Sequence, residues 1–152
     1  MIVATLIAHG LIATALLGAI THQAMAALRL TLRDGHGDSF VARYSGVRPP
    51  AFRNAVIVMY VIGFGLGCLI YPDYRLDARI PIEEMQLGWA VGLFELKEHF
   101  GGIGLAMLPL YAHYWSPTRA PETGRLATTL LLACITWFDF VAGHIVNNIR
   151  GL

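Results

Sequence analysis

The chain has 152 residues, 56% of them hydrophobic and only 14% charged, with a mean hydropathy of +0.57. That balance is too apolar for an ordinary soluble domain, and a net charge of +1 gives no footing for a nucleic-acid partner. Cys68 and Cys134 stand in separate apolar segments without CxxC or zinc-like spacing, so neither a disulfide framework nor a metal knuckle is expected.

Crossing a hydrocarbon core of about 30 Å takes about 20 helical residues, and four segments are long enough: 2–28, 55–71, 87–115 and 126–149. The first lacks the basic n-region of a signal peptide, its apolar run is too long for one, and His9 interrupts it, so it reads as a retained helix. His22 lies near its far end. The loop that follows is rich in Gly, Asp, Ser and Pro, and its DGHGD motif, with Asp34, His36 and Asp38, reads as a solvated turn rather than a metal site. The second segment has no ionisable side chain, and Gly63 and Gly67 form a GxxxG face suited to close helix packing. A second loop with Arg75 and Arg79 among Asp73, Asp77, Glu83 and Glu84 leads into the third segment.

That third segment is the anomalous one. Trp89 and Trp115 read as anchors at the two membrane surfaces, yet Glu95, Lys97, Glu98 and His99 fall between them. Each charged group near a bilayer centre costs roughly 2.5–3.5 kcal/mol on the gentler scales, so something must compensate them. Gly88 and Gly92 repeat the small-residue device, and the glycines of GGIG, 101–104, give room for a neighbouring helix or a planar cofactor. The fourth segment carries Asp139 and His144, with Asn147 and Asn148 near its end.

These segments predict an all-α fold: one domain over residues 1–152, an integral membrane four-helix bundle. Seven arginines (29, 33, 43, 48, 53, 119 and 125) fall in the first and third loops, against three (75, 79 and 150) on the other side. The positive-inside preference then puts both termini on the outer side, which is the periplasmic side of the inner (plasma) membrane in a bacterium.

At about 1.5 Å per residue, His9, His99 and Asp139 reach a common depth about two turns below the outer surface. Glu95, Glu98 and His144 lie near that level, while His22 and His113 mark the inner rim. Glu95 and His99, at i and i+4, share a face, and His113 returns to nearly that face fourteen residues on. Lys97 points away from it, either snorkelling outward or neutralising a carboxylate on another helix.

Two parallel helices, each with an outer and an inner histidine, resemble the arrangement by which b-type cytochromes hold haems between helices. The resemblance implies haem b held by His9 with His99 and by His22 with His113. The thirteen-residue interval of the first helix turns His22 roughly 140° from His9, so a single haem on the outer pair fits more easily. The carboxylates suggest a rival, a non-haem iron, copper or zinc site built from His9, Glu95, Glu98, His99, Asp139 and His144, loosely similar to four-helix di-iron proteins. A third reading makes these groups a proton relay in an accessory subunit of a respiratory or transport complex. The expected function is therefore membrane redox or electron transfer, and the expected partners are the lipid bilayer and other membrane subunits or further copies of the chain.

Overall fold

The computed structural model describes residues 2–32, 49–116 and 121–149. They form α1 (Ile2–Leu32), α2 (Pro49–Tyr74), a π-helical turn (Arg75–Arg79), α3 (Ile80–Glu84), α4 (Gly88–Tyr114) and α5 (Glu122–Ile149), with no strand among them. The DGHGD motif with Asp34, His36 and Asp38 lies outside the described residues.

Three stretches, Val3–Leu28, Phe52–Glu84 and Glu122–Ile149, are long and apolar enough to cross a membrane. The fourth long helix, α4, falls short of that measure because Glu95, Lys97, Glu98 and His99 crowd its first half. What the sequence marks as a second loop is largely helix. Pro72 lacks an amide hydrogen, the helix then widens over Arg75–Arg79, and α3 continues it to Glu84. The chain reverses at Gln86, whose φ of 57° places it in the left-handed region, while the amides of Gln86 and Leu87 bond the Glu83 and Ile82 carbonyls. Arg79 braces this corner, with Nε 2.7 Å from Glu83 Oε1 and Nη2 3.1 Å from Glu95 Oε1.

α1 packs extensively along α2 and α5, and α5 along α4, whereas α2 and α4 touch more sparsely. The residues that meet repeat at alternating intervals of three and four. On α4 they are Ala90, Phe94, Lys97, Gly101, Gly104, Leu108, Tyr111 and Trp115. On α5 they are Thr129, Leu132, Thr136, Asp139, Gly143 and Val146, and on α2 Val56, Tyr60, Gly63 and Gly67. A period of 3.5 is the spacing at which one helix keeps the same seam toward its neighbours, knob into hole.

The end where α1 starts and α5 finishes is the upper end. A small apolar cluster there joins Ile82, Ala90, Phe94 and Val146, with Tyr74 stacked on Phe94 at 4.2 Å. The larger cluster fills the lower half around Leu16, Ile20, Val56, Tyr60, Leu108, Tyr111 and Leu132. Trp115 belongs to it. At 4% exposure it is a core residue, not the surface anchor its position suggests, and its indole N–H donates to Thr129 Oγ1 at 2.9 Å. Trp89, at 59% exposure, keeps the exposed position expected of it.

Gly104 sets the tightest contact in the bundle core. A Cβ there would collide with the Tyr60 hydroxyl and lie 3.2 Å from Ile135 Cγ2, whereas Gly65, on the exposed side of α2, has nothing within 4 Å. Gly104→Val is therefore expected to destabilise the fold by about 1–3 kcal/mol, the usual cost of overpacking. Thermal unfolding in detergent checks this, with Gly65→Val as the control that leaves the midpoint almost unchanged.

Candidate functional site

The upper half of the bundle encloses a cavity of about 750 Å³ between the four long helices. Its walls are mostly apolar and aromatic, and His9, Lys97, Glu98, Asp139 and His144 are the acidic and basic side chains among them. Exposed Leu6, Ile7 and Leu11 on α1 also border it, so the cavity opens sideways onto an apolar surface.

Glycines on the seams make the space for three of these groups. A Cβ on Gly67 would lie 3.5 Å from His9 Cε1, one on Gly101 3.5 Å from Asp139 Oδ2, and one on Gly143 3.2 Å from Lys97 Cε. Each polar side chain thus faces a missing side chain on a neighbouring helix. The Tyr60 hydroxyl closes the floor by donating to the Gly101 carbonyl at 3.1 Å.

His9 Nδ1 lies 3.0 Å from the Gly63 carbonyl oxygen. A carbonyl only accepts, so Nδ1 carries the hydrogen, and in the neutral ring Nε2 keeps its lone pair. Asp139 Oδ1 is buried without a hydrogen-bond partner. Among the described residues, Lys97 is the cation that acts electrostatically on His9, Glu98 and Asp139 together. Its ammonium also lies 5.9 Å from the Phe94 ring centroid.

Glu95 and His99 do share a face, as their spacing predicts, but it is the exposed one. His99 donates from Nδ1 to the Glu95 carbonyl at 2.6 Å, and neither residue lines the cavity. The structure therefore does not bring His9 and His99 together. His113 is exposed on α4, while His22 is 8% exposed and stacks on Phe52 at 4.4 Å, so this pair is not brought together either. Among the described residues, no three His, Cys, Asp or Glu side chains stand close enough to hold a metal ion. Cys68 and Cys134 are both free and exposed, and Cys68 lies at the cavity wall.

Of the two alternatives for Lys97, the structure has the second, a lysine beside a carboxylate of another helix, Asp139. The lysine's seam neighbours Phe94, Gly101 and Gly104 carry the signal, since a register running large, charged, small, small faces inward. Gln23 and Tyr111 escape a search for charge. Both are fully buried in the lower core, and neither the Gln23 amide nor the Tyr111 hydroxyl has a hydrogen-bond partner. Each lies fourteen residues from a cavity residue on its own helix, Gln23 from His9 and Tyr111 from Lys97, hence on the same seam.

Comparison with protein-family models, with curated proteins and with solved structures finds no match to this chain.

Lys97→Met takes from Asp139 the cation that acts on it. Because the cavity is half open, the expected loss is about 1–2 kcal/mol, below the 3–5 kcal/mol of a fully buried pair. Adding Asp139→Asn is expected to restore at least half of it. A double-mutant cycle on unfolding midpoints in detergent checks the coupling.

Proposed function

We propose that the chain is a small integral membrane redox protein of four helices, whose upper cavity would hold one haem b through His9. The observation that carries this reading is the bond from His9 Nδ1 to the Gly63 carbonyl. An imidazole anchored through one nitrogen has a fixed ring orientation and offers the other to iron, the usual arrangement of metal-binding histidines. The apolar and aromatic lining suits a planar macrocycle. Lys97, Asp139 and Glu98 then belong to the surroundings that tune such a group. His99 has no part in this ligation, since it lies outside the cavity.

Asp139 favours a second reading. A carboxylate oxygen buried without a partner, beside a histidine and a lysine, is also what a proton relay requires. In that case the chain passes protons within a larger membrane assembly and binds no haem.

The proposed orientation puts the upper end outside, periplasmic in a bacterium, following the arginine division. A single cysteine at Ser45 is then expected to resist an impermeant thiol reagent added to intact cells, and labelling there overturns the orientation.

The visible spectrum of the detergent-purified protein separates the two functional readings. Haem binding gives a Soret band that His9→Ala abolishes, whereas His99→Ala and His36→Ala keep it. Absence of the band in the wild type, with proton uptake by proteoliposomes that Asp139→Asn abolishes, supports the relay instead.

A further inference from the structure

The side of α4 turned away from the cavity has a seam of its own. Gly88, Gly92, Glu95, His99, Gly102, Ala106, Pro109 and His113 follow one another at alternating intervals of four and three. All are exposed except Gly102, which is partly so, and a Cβ on Gly88, Gly92 or Gly102 would meet nothing within 4 Å. Among the described residues, no other long helix covers this face.

We propose that a second copy of this chain covers it, in a two-fold dimer with its α4 parallel to this one. The inference rests on the chain lying in a bilayer, as proposed above. His99 and His113 would otherwise face lipid, where ionisable groups are costly unless paired. This is the long helix that is not apolar enough to be a span on its own terms, and the deficit is shared between the cavity side and this side.

Charge complementarity selects the occupant. Glu95 and His99 are successive positions of a 3.5-residue seam, and in a parallel pair each such side chain sits beside its own equivalent and the adjacent seam positions of the opposite helix. A two-fold axis along the membrane normal therefore sets each His99 beside the Glu95 of the other copy, twice over, as a self-complementary interface requires. Within one chain, His99 has given its Nδ1 hydrogen to the Glu95 carbonyl, so its free nitrogen bonds a carboxylate only as imidazolium, in a charge-assisted contact. Glu95 has its Oε1 on Arg79, which leaves Oε2 for that contact. Gly92, Gly102 and Ala106 flank the pair and allow the backbones to approach.

The test uses the full-length chain in native membranes, with Cys68→Ser and Cys134→Ser as background, and a single new cysteine at Ala106 or, as control, at exposed Leu131 on α5. Oxidation is expected to cross-link Ala106→Cys into a species of twice the chain mass and to leave Leu131→Cys monomeric. Adding His99→Ala is expected to cut the Ala106→Cys cross-link about tenfold, equivalent to about 1.4 kcal/mol, and Gly102→Ile to abolish it. Cross-linking at Leu131→Cys but not at Ala106→Cys, or a cross-link at Ala106→Cys to a different protein, overturns the dimer. A cross-link indifferent to both His99→Ala and Gly102→Ile overturns this seam as its basis. Carbonate extraction of the same membranes distinguishes the two failures. A chain that stays in the membrane without the cross-link contradicts the dimer alone, whereas a chain released by carbonate contradicts the membrane reading and the dimer with it.

Discussion

A long polar side chain that turns into a helical bundle lies closest to the neighbouring backbone where the opposite helix carries a glycine. In this chain the pairing occurs three times, with Gly67 before His9, Gly101 before Asp139 and Gly143 before Lys97. A methyl group added at Gly67 or Gly101 would stand in ordinary contact with the side chain it faces, and one at Gly143 would crowd the Lys97 stem, so these glycines let the polar groups lie close against neighbouring backbones. The cavity in turn decides which ionisable groups meet. Below it the same seams carry Leu16, Ile20, Leu108 and Leu132, and the bundle closes into an ordinary apolar core. One repeat thus gives two environments, according to whether a seam position is large or absent.

The arrangement divides the conspicuous FELKEHFGG stretch between two surfaces. Lys97 goes inward with Phe94 and Gly101, and Glu98 reaches the same cavity, whereas Glu95 and His99 turn outward. Glu95 is engaged at the rim by Arg79, which the widened turn after Pro72 carries back over the top of the bundle. The charged stretch is therefore not one cluster. Its inner half faces His9 and Asp139, and its outer half faces whatever lies beyond the helix.

Much of this was legible in the residues. Segment lengths and apolarity give four long helices, and depth counting brings His9, Glu95, Glu98, His99, Asp139 and His144 to the outer half, where His9, Glu98, Asp139 and His144 line one cavity and Glu95 and His99 do not. Rotation was less accessible. The i, i+4 relation tells that Glu95 and His99 share a face, but it holds equally for an inward and an outward face. Only the register of the whole helix, from Ala90 to Trp115, selects between them, and it selects Lys97. Trp115 shows the same weakness: its position fits an interfacial anchor, yet its seam phase and its bond to Thr129 make it core. The helical run from Arg75 to Glu84 was hidden by its charges, which read as loop, although Ala78 and Ile82 are its buried side.

Lys97 is the one lysine in the sequence, so isotope-labelled lysine reports on a single ammonium group. The most direct measurement is magic-angle-spinning NMR of the ¹⁵N-lysine, uniformly ¹³C-labelled chain in lipid bilayers, read for the carbons nearest the Lys97 side chain. An inward Lys97 predicts cross-peaks to Gly143 and Asp139 of α5 and to Phe94. Contacts to lipid acyl chains or headgroups, with none to α5, would contradict the account.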